Sequence, residues 1–429
     1  MMYNDTGSEG QRKGESIEGY LLREDWQRVE LGDVILSIKN GITAKQNFSR
    51  KGFPVARIET ISGGIMNPER VGWVDLPVED FKDFKLSSGD ILFSHINSVG
   101  RLGNCAIYEG FPENLHHGMN LLRIVVNKSV LVPYFLLYWL RSDYCRGYYA
   151  RNARRAIGQA SLNQRDIRRI PVPLPPLYEQ NRIASRVKDL MEEMERLQTA
   201  CKRQLEAASA LADAYLRQAF KREVVEKWGR RKLGELCDSE TGIWGETPDG
   251  SSEYHFVLRS NNIRDGKIDF SDIAVRRVES RHLLKKTLKK GDILVATSSG
   301  SSDLVGKSAL FIPPDNRTYL FSNFTMRLRA IPGLVDSLYL YFYLQSPQAK
   351  SVLRLIQDTT TGLRNLNRKG FLKQSIPIPS SLWEQRLIAS RLKEKLAEVE
   401  RIKTAVQSEL KAIDLMPQAV LRKAFMGRL

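Results

Sequence analysis

The sequence predicts an α+β protein built as two copies of one unit. Each copy is a globular domain followed by a long amphipathic helix, and the two helices pair antiparallel as an intramolecular coiled coil about a pseudo-two-fold axis. Three observations carry this reading. PVPLPPLYEQNRIASRVKDLMEEMERL from Pro171 returns as PIPSSLWEQRLIASRLKEKLAEVERI from Pro377, so that Glu179 and Gln180 recur as Glu384 and Gln385, 205 positions on. Leu216-Arg217 and Leu421-Arg422 close the two copies, each followed one residue later by Ala-Phe. Earlier in each copy, LSSGDILFS from Leu86 answers LKKGDILVA from Leu288, and Leu31-Gly32 answers Leu233-Gly234, both at an offset of 202. A half-length period is read first as duplication of one structural unit. The small drift of the offset places insertions in loops.

In chain order, residues 1–24 are polar, aperiodic and rich in Gly, Ser and charge, the composition of a disordered tail. Residues 25–176 form the first domain. Its Gly89-Asp90 pair is a turn signal and the apolar run behind it a buried strand. GNCAIY from Gly103 matches GKSALF from Gly306, and the aromatic FLLYWL ending at Leu140 matches YFYL ending at Leu344. Helices are expected over 133–153 and, in the second copy, over 337–356. Each domain ends in a polar loop and a Pro-x-Pro bracket, which holds the chain extended and cannot continue a helix. The first helix then occupies 177–226, the second domain 227–381 and the second helix 382–429.

In the first helix Ile183, Val187, Leu190, Met194, Leu197 and Cys201 alternate at spacings of four and three, a heptad stripe. Ile388, Leu392, Leu396, Val399, Ile402, Val406, Leu410 and Ile413 repeat it in the second. A single helix over 178–221 would be about 66 Å long, too long for one small domain to cover. The two stripes therefore seek each other, with pairing between separate chains as the rival arrangement. Pro417 is expected to kink or interrupt the last turns of the second helix.

The formal net charge is +17, from 66 Lys and Arg against 49 Asp and Glu. Residues 25–176 hold 20 basic and 14 acidic groups and 227–381 hold 24 and 15, whereas 177–226 balance at 9 and 9. The excess therefore sits mostly on the domains, and it points to a polyanion as partner. The side chains suited to such a surface cluster in loops. In the first domain they are Lys39, Lys45, His95, Asn97, Ser98, Arg101, Asn104, Arg151, Arg154, Arg155, Gln159, Ser161 and Asn163. In the second they are Arg259, Asn261, Asn262, Arg264, Ser299, Ser301, Lys307, Thr361, Arg364, Asn365 and Asn367. Arg and Lys match the acceptors of guanine, and Asn and Gln match adenine in a bidentate way. Each of these residues has a plainer reading as a loop former.

Other chemistries find little support. The four cysteines lie far apart with no Cys-x-x-Cys, and the five histidines do not cluster with metal-ligand spacing, so no metal site is expected. The most apolar run, VLVPYFLLYWL from Val130, is too short to span a bilayer and holds a proline, so no membrane partner and a reducing cytoplasm are the default. There is no phosphate-binding Gly-rich loop, no His-Glu-x-x-His, no Gly-x-Ser-x-Gly and no Asn-Pro-Pro-aromatic motif of adenine methyltransferases.

The duplicated order of variable domain, Pro-x-Pro, Glu-Gln, Ile-Ala and a long helix ending in Leu-Arg-x-Ala-Phe resembles the specificity subunit of type I restriction–modification systems. The resemblance covers the chain after its tail. It implies a non-catalytic subunit whose two target recognition domains each read one half of a split, asymmetric double-stranded DNA site. The paired helices would set the gap, with Glu179, Gln180, Ile183, Val187, Leu190, Met194, Leu197, Glu384, Gln385, Ile388, Leu392, Val399 and Ile402 as spacer and docking positions. Two methyltransferase subunits would dock on it and restriction/motor subunits could join them. S-adenosylmethionine, ATP and magnesium would then belong to those partners, with no cofactor on this chain. Two other readings stay open from the residues alone. One is a self-contained DNA methyltransferase or nuclease with unfamiliar motifs; the other is a coiled-coil scaffold that grips nucleic acid without sequence preference.

Overall fold

A computed structural model describes residues 25–47, 49–247, 254–299, 305–355, 357–360 and 363–429. The tail expected over 1–24 lies outside the described residues. The chain divides into two compact units, one formed by residues up to Ala200 together with Glu409–Leu429, the other by Cys201–Ser408.

The duplication in sequence is a duplication in topology. In the first unit a four-stranded antiparallel sheet runs Ile35–Asn40, Leu121–Val126, Ile91–Ser94, Cys105–Ile107. A three-stranded sheet runs Val71–Val74, Phe53–Ala56, His116–His117, the last pair parallel. In the second unit the four-stranded order is Cys237–Thr241, Thr325–Ala330, Ile293–Ala296, Ser308–Leu310, and the three-stranded order Ala274–Arg277, Tyr254–Leu258, Tyr319–Phe321. The proline brackets are themselves strands. Pro171–Leu174 pairs antiparallel with Gln27–Glu30, and Ser375–Ile378 with Gly229–Lys232.

The repeated Gly-Asp turn shows why the sequence keeps both residues. Gly89 and Gly291 have φ of +97° and +92°, a conformation that a side chain resists. The buried carboxylates behind them close the turn. Asp90 accepts from the Ser87 N–H at 2.7 Å and from Arg123 Nε at 2.8 Å, and Asp292 accepts from the Lys289 N–H and Arg329 Nε, both at 2.7 Å. The aspartate thus pins the turn to the central strand that carries the arginine.

Where one helix was expected over 133–153 there are two, Pro133–Arg141 and Asp143–Asn152. Ser142 leaves the helical conformation between them, and its hydroxyl accepts from the Cys145 N–H. The same break divides 337–356 into Ser337–Gln345 and Pro347–Leu355, with the Ser346 hydroxyl accepting from the Ala349 N–H at 3.2 Å. Serine competes for backbone groups and so favours a cap over a helix interior, and Pro347 suits a first turn, where its missing N–H has no partner to lose.

The long helices are Leu177–Ala219 and Leu382–Phe425. The interruption expected at Pro417 does not occur. A proline removes one helix hydrogen bond, but beyond it Leu421, Ala424 and Phe425 are buried in the core of the first unit, and Gln418 Nε2 donates to the Arg141 carbonyl at 3.1 Å. Tertiary packing holds the last turns in place.

Within each unit the helix segments pair antiparallel. In the first, Arg182 Nη1 donates to the Leu429 carbonyl and Gln198 Nε2 to Asp414 Oδ1, both at 2.8 Å. In the second, the Lys395 ammonium lies 4.8 Å from the Tyr215 ring centre, and Leu216 and Phe220 share a core with Ala389 and Leu392. Most of the expected stripe faces inward, including Ile183, Val187, Met194, Cys201, Leu392, Val399, Val406 and Ile413. Leu197 and Ile402 do not; each is 44% exposed. Both lie two heptads past the first stripe residue, where an ideal helix has drifted about 40° from a strict seven-residue repeat.

The repeated glutamines fix where the helices start. Gln180 is fully buried; its amide donates to the carbonyls of Val130 (3.0 Å) and Pro175 (2.8 Å) and accepts from the Val132 N–H at 2.8 Å. Gln385 does the same with Leu334, Pro379 and the Asp336 N–H. Among the described residues no helix is long and apolar enough to cross a membrane.

Candidate nucleic-acid interface

Each unit carries a second three-stranded sheet, and it gathers many of the loop residues singled out in the sequence. In the first unit Arg154–Ala156 and Gln159–Ser161 form a hairpin whose second strand pairs with Ile96–Asn97. The turn is Ile157-Gly158, and Gly158 takes φ +75°, as two-residue hairpin turns require. Arg155 lies opposite Ala160, and Ala160 lies opposite Asn97. Arg151, Arg154, Arg155 and Gln159 are exposed. Arg154 and Arg155 form no ion pair among the described residues.

Beside this sheet, Ser98–Asn104 makes a tight turn in which the Arg101 N–H donates to the Ser98 carbonyl at 2.9 Å and Asn97 Oδ1 accepts from the Ser98 N–H at 2.8 Å. Ser98 and Arg101 are exposed at its tip, and Asn104 is half-buried with its amide toward the Ser62 carbonyl. Gln164 Nε2 donates to Asn40 Oδ1 at 2.7 Å, which brings the strand end bearing exposed Lys39 to the base of the hairpin. Lys45 is exposed on a different edge, next to the Asn47 bridge to Trp73.

The second unit repeats the arrangement with Gln357–Thr360, Leu363–Leu366 and Ser298–Ser299. Here Thr359 lies opposite Arg364, and Asn365 opposite both Asp358 and Ser298, whose hydroxyl donates to Asn365 Oδ1 at 2.7 Å. The Leu366 N–H donates to the Thr297 carbonyl at 2.8 Å, as the Leu162 N–H does to His95 at 2.9 Å. Ser299 and Arg364 are thus placed by their strands, while Ser301 and Thr361 lie outside the described residues. Lys307 is half-buried on the turn before Ser308–Leu310, its carbonyl accepting from the Ala296 N–H.

Several expected readers are committed to the fold instead. Asn163 and Asn367 are N-caps, accepting from the Asp166 and Gly370 N–H groups at 2.8 and 2.9 Å. Asn262 is buried, donating to the Asp269 and Asp272 carbonyls and accepting from the Arg259 N–H. Arg259 pairs with Asp272 at 2.8 Å and Arg264 with Asp269 at 3.0 Å, so with exposed Asn261 they build a self-contained loop. That loop sits against the helix Ser337–Gln345, whose Tyr341 hydroxyl donates to the Gly266 carbonyl, and Lys267 pairs with Glu400 of the second long helix. Of these, Asn262 has both ends of its amide occupied within the fold, and the cap asparagines have their Oδ1 occupied.

His95 is buried as well, and so are His116 and His117. Burial lowers the pKa of all three below the usual imidazole value. His116 Nδ1 faces the Asn114 carbonyl at 2.8 Å and His117 Nδ1 the Phe84 carbonyl at 2.9 Å; since a carbonyl only accepts, both rings carry their proton on Nδ1. Among the described residues no group of three His, Cys, Asp or Glu side chains is placed to hold a metal ion.

Ile157 stands fully exposed at the hairpin tip, a position that the sequence did not single out. An isolated isoleucine between Ala156 and Gly158 gives no signal by type, and its position becomes visible only once the two flanking strands are paired.

Comparison with known proteins agrees with this architecture. The type I restriction modification DNA specificity domain model matches twice, over residues 23–207 and 225–412. A Methanocaldococcus jannaschii chain named as the type I restriction enzyme MjaX specificity subunit is 32% identical over 403 residues, covering 88% of this chain and 89% of its own. The EcoKI specificity subunit of Escherichia coli is 25% identical over 271 residues, 61% of this chain and 58% of that one. Among solved structures, a chain of a type I R-M system complex aligns over 96% of this chain and 100% of its own with a TM-score of 0.72 at 21% identity. The HsdS subunit from Thermoanaerobacter tengcongensis aligns over 96% and 99% with a TM-score of 0.54 at 22% identity. At those identities the two structures speak for the fold.

Proposed function

The chain belongs to the type I restriction modification DNA specificity family and is a DNA-recognition subunit; from that premise we propose that its two units read the two halves of a split, asymmetric target, one half each. The observation that carries this is one sheet in two versions. The hairpin ladders share one topology, yet Arg155 lies opposite Ala160 in the first, while in the second Thr359 lies opposite Arg364, so the arginine has changed strands. The same scaffold thus carries different donors at matching register positions, which suits two different half-sites. Phosphate contacts from the basic domains supply affinity and position, and hairpin side chains at base edges supply selectivity.

The long helices serve as spacer and as docking surface for two methyltransferase subunits. Exposed apolar side chains recur at the same place in each copy: Tyr178 and Trp383 are 74% and 72% exposed, Leu197 and Ile402 44% each, Leu211 and Met416 39% and 47%. Two like surfaces on one chain fit two copies of one partner. S-adenosylmethionine, ATP and magnesium act on the partner subunits, and the complex works in the cytoplasm.

Methylation mapping of cells that express the chain with its methyltransferase tests this. The expected result is adenine methylation within one discrete split sequence with a fixed gap. Methylation at a single uninterrupted site, or scattered methylation without a consensus, would sink the two-half reading.

A further inference from the structure

We propose that Ile157 is a specificity-determining residue of the first unit, reading a thymine through its 5-methyl group in the major groove. The inference rests on the two-half reading above and adds one residue and one chemical contact to it.

The side chain of Ile157 is fully exposed, at 106% of its reference area, the most exposed of the large apolar residues described. An isoleucine at the outermost point of the turn packs against nothing in the fold, so its side chain is free to meet a partner. The turn needs a positive φ only at Gly158; in the sequence of the second copy Thr361-Gly362 aligns with Ile157-Gly158, so an apolar residue is not a property of the repeat.

The surroundings define what would cover it. Arg154 and Arg155 precede it, exposed and without an ion pair among the described residues, so the tip carries positive charge toward a polyanion. A two-stranded ribbon fits the width of the major groove, where arginine matches the guanine acceptors and an apolar group matches the methyl of thymine. The pairing register holds the hairpin against the Ile96–Asn97 strand, so its tip projects from a fixed base and not from a free loop. A hydrophobic protein partner on this tip would have to accommodate two desolvated guanidinium groups, whereas DNA neutralises them.

The test uses the full chain assembled with its methyltransferase partner and duplexes carrying the mapped target, with thymine replaced by deoxyuracil in one half at a time. In one half, deoxyuracil weakens wild-type binding about fourfold, the effect of removing one buried methyl group. The Ile157→Ala chain binds thymine and deoxyuracil duplexes equally in that half, and Ile157→Val keeps a preference for thymine. The response to deoxyuracil in the other half stays the same in all three chains, which also shows that the variants fold. Wild-type indifference to deoxyuracil in both halves, a thymine preference that survives Ile157→Ala, or a loss of the response in both halves overturns the inference. Absence of any split target overturns the two-half reading itself, and is seen before deoxyuracil is introduced.

Discussion

Phe425 stands edge-on against Trp139, ring centroids 4.9 Å apart, and the last helical residue of the chain is thereby part of the core of the first domain. It also meets Phe135 edge-on at 5.3 Å. The same motif at the end of the first helix places Phe220 edge-on to Tyr339 and Tyr343 of the second domain, at 5.7 and 5.3 Å. Each Leu-Arg-x-Ala-Phe therefore completes a core that its own copy does not contain. The repeat is a duplication with its ends exchanged.

Removing either ring should destabilise the unit it enters. Phe425→Ala is expected to cost roughly 3–5 kcal/mol in the first unit, and Phe220→Ala a similar amount in the second. Hydrogen exchange would localise the loss: Phe425→Ala should expose amides of Pro133–Arg141 and leave Ser337–Gln345 protected. Loss of protection in the second unit only would contradict the exchange of ends.

The glutamine clamps are a second point of failure. Gln180→Ala leaves two carbonyls and one N–H without their partner in a buried site, at about 1–3 kcal/mol for each group left unpaired. A clear drop in the thermal midpoint is expected, and Gln180→Glu should not rescue it, since a carboxylate cannot donate to the Val130 and Pro175 carbonyls.

The buried histidines should make the first unit acid-sensitive. Their folded pKa values are lowered by burial, so below about 6.5 the unfolded chain takes up protons that the folded unit refuses. Stability is full above that pH and falls as pH drops, by at most about 1.4 kcal/mol per pH unit for each neutral histidine. Lys85 beside His116 and Arg123 beside His117 act in the same direction, while hydrogen bonds to backbone carbonyls, those of Asn114 and Phe84 foremost, and Asp90 act against it. Strand register matches His116 and His117 to Leu320 and Phe321 of the second unit. The double substitution His116→Leu, His117→Phe should flatten the acid limb of a pH–denaturation profile; an unchanged slope would show that these rings are not its source.

Helix length should set the gap in the target. Deleting Glu206–Ser209 removes about one turn from the first helix. The expected outcome is a changed gap or lost binding, with both half-site sequences retained; methylation mapping would show a changed half-site if the helices did more than space.

Much of the fold was legible in the residues, and the reasons are physical. Duplication in register identified the units and the helices, because a stripe as long as that of Ile183, Val187 and Met194 has little use except burial against another helix. The Gly89-Asp90 and Gly291-Asp292 turns stood out because glycine and aspartate have narrow local uses. What stayed hidden depended on distant partners. Ser142 and Ser346 end helices through a single hydroxyl each, Pro417 is tolerated because Phe425 is buried, and Leu197 turns outward by accumulated drift. The interface was legible as composition but not as geometry. Arg154, Arg155 and Gln159, expected in a loop, lie on one sheet, whereas Asn163, Asn367 and Asn262 had the right type for reading adenine and are held by caps and loop hydrogen bonds.

The most direct measurement is methylation mapping with the chain in which Arg154 and Arg155 are both replaced by alanine, beside the wild type. A bidentate arginine–guanine contact is worth about 1–3 kcal/mol of discrimination, so one half of the target should relax at one or two positions while the other half and the gap stay as they were. Relaxation of both halves, or of neither, would contradict the assignment of one half-site to each unit.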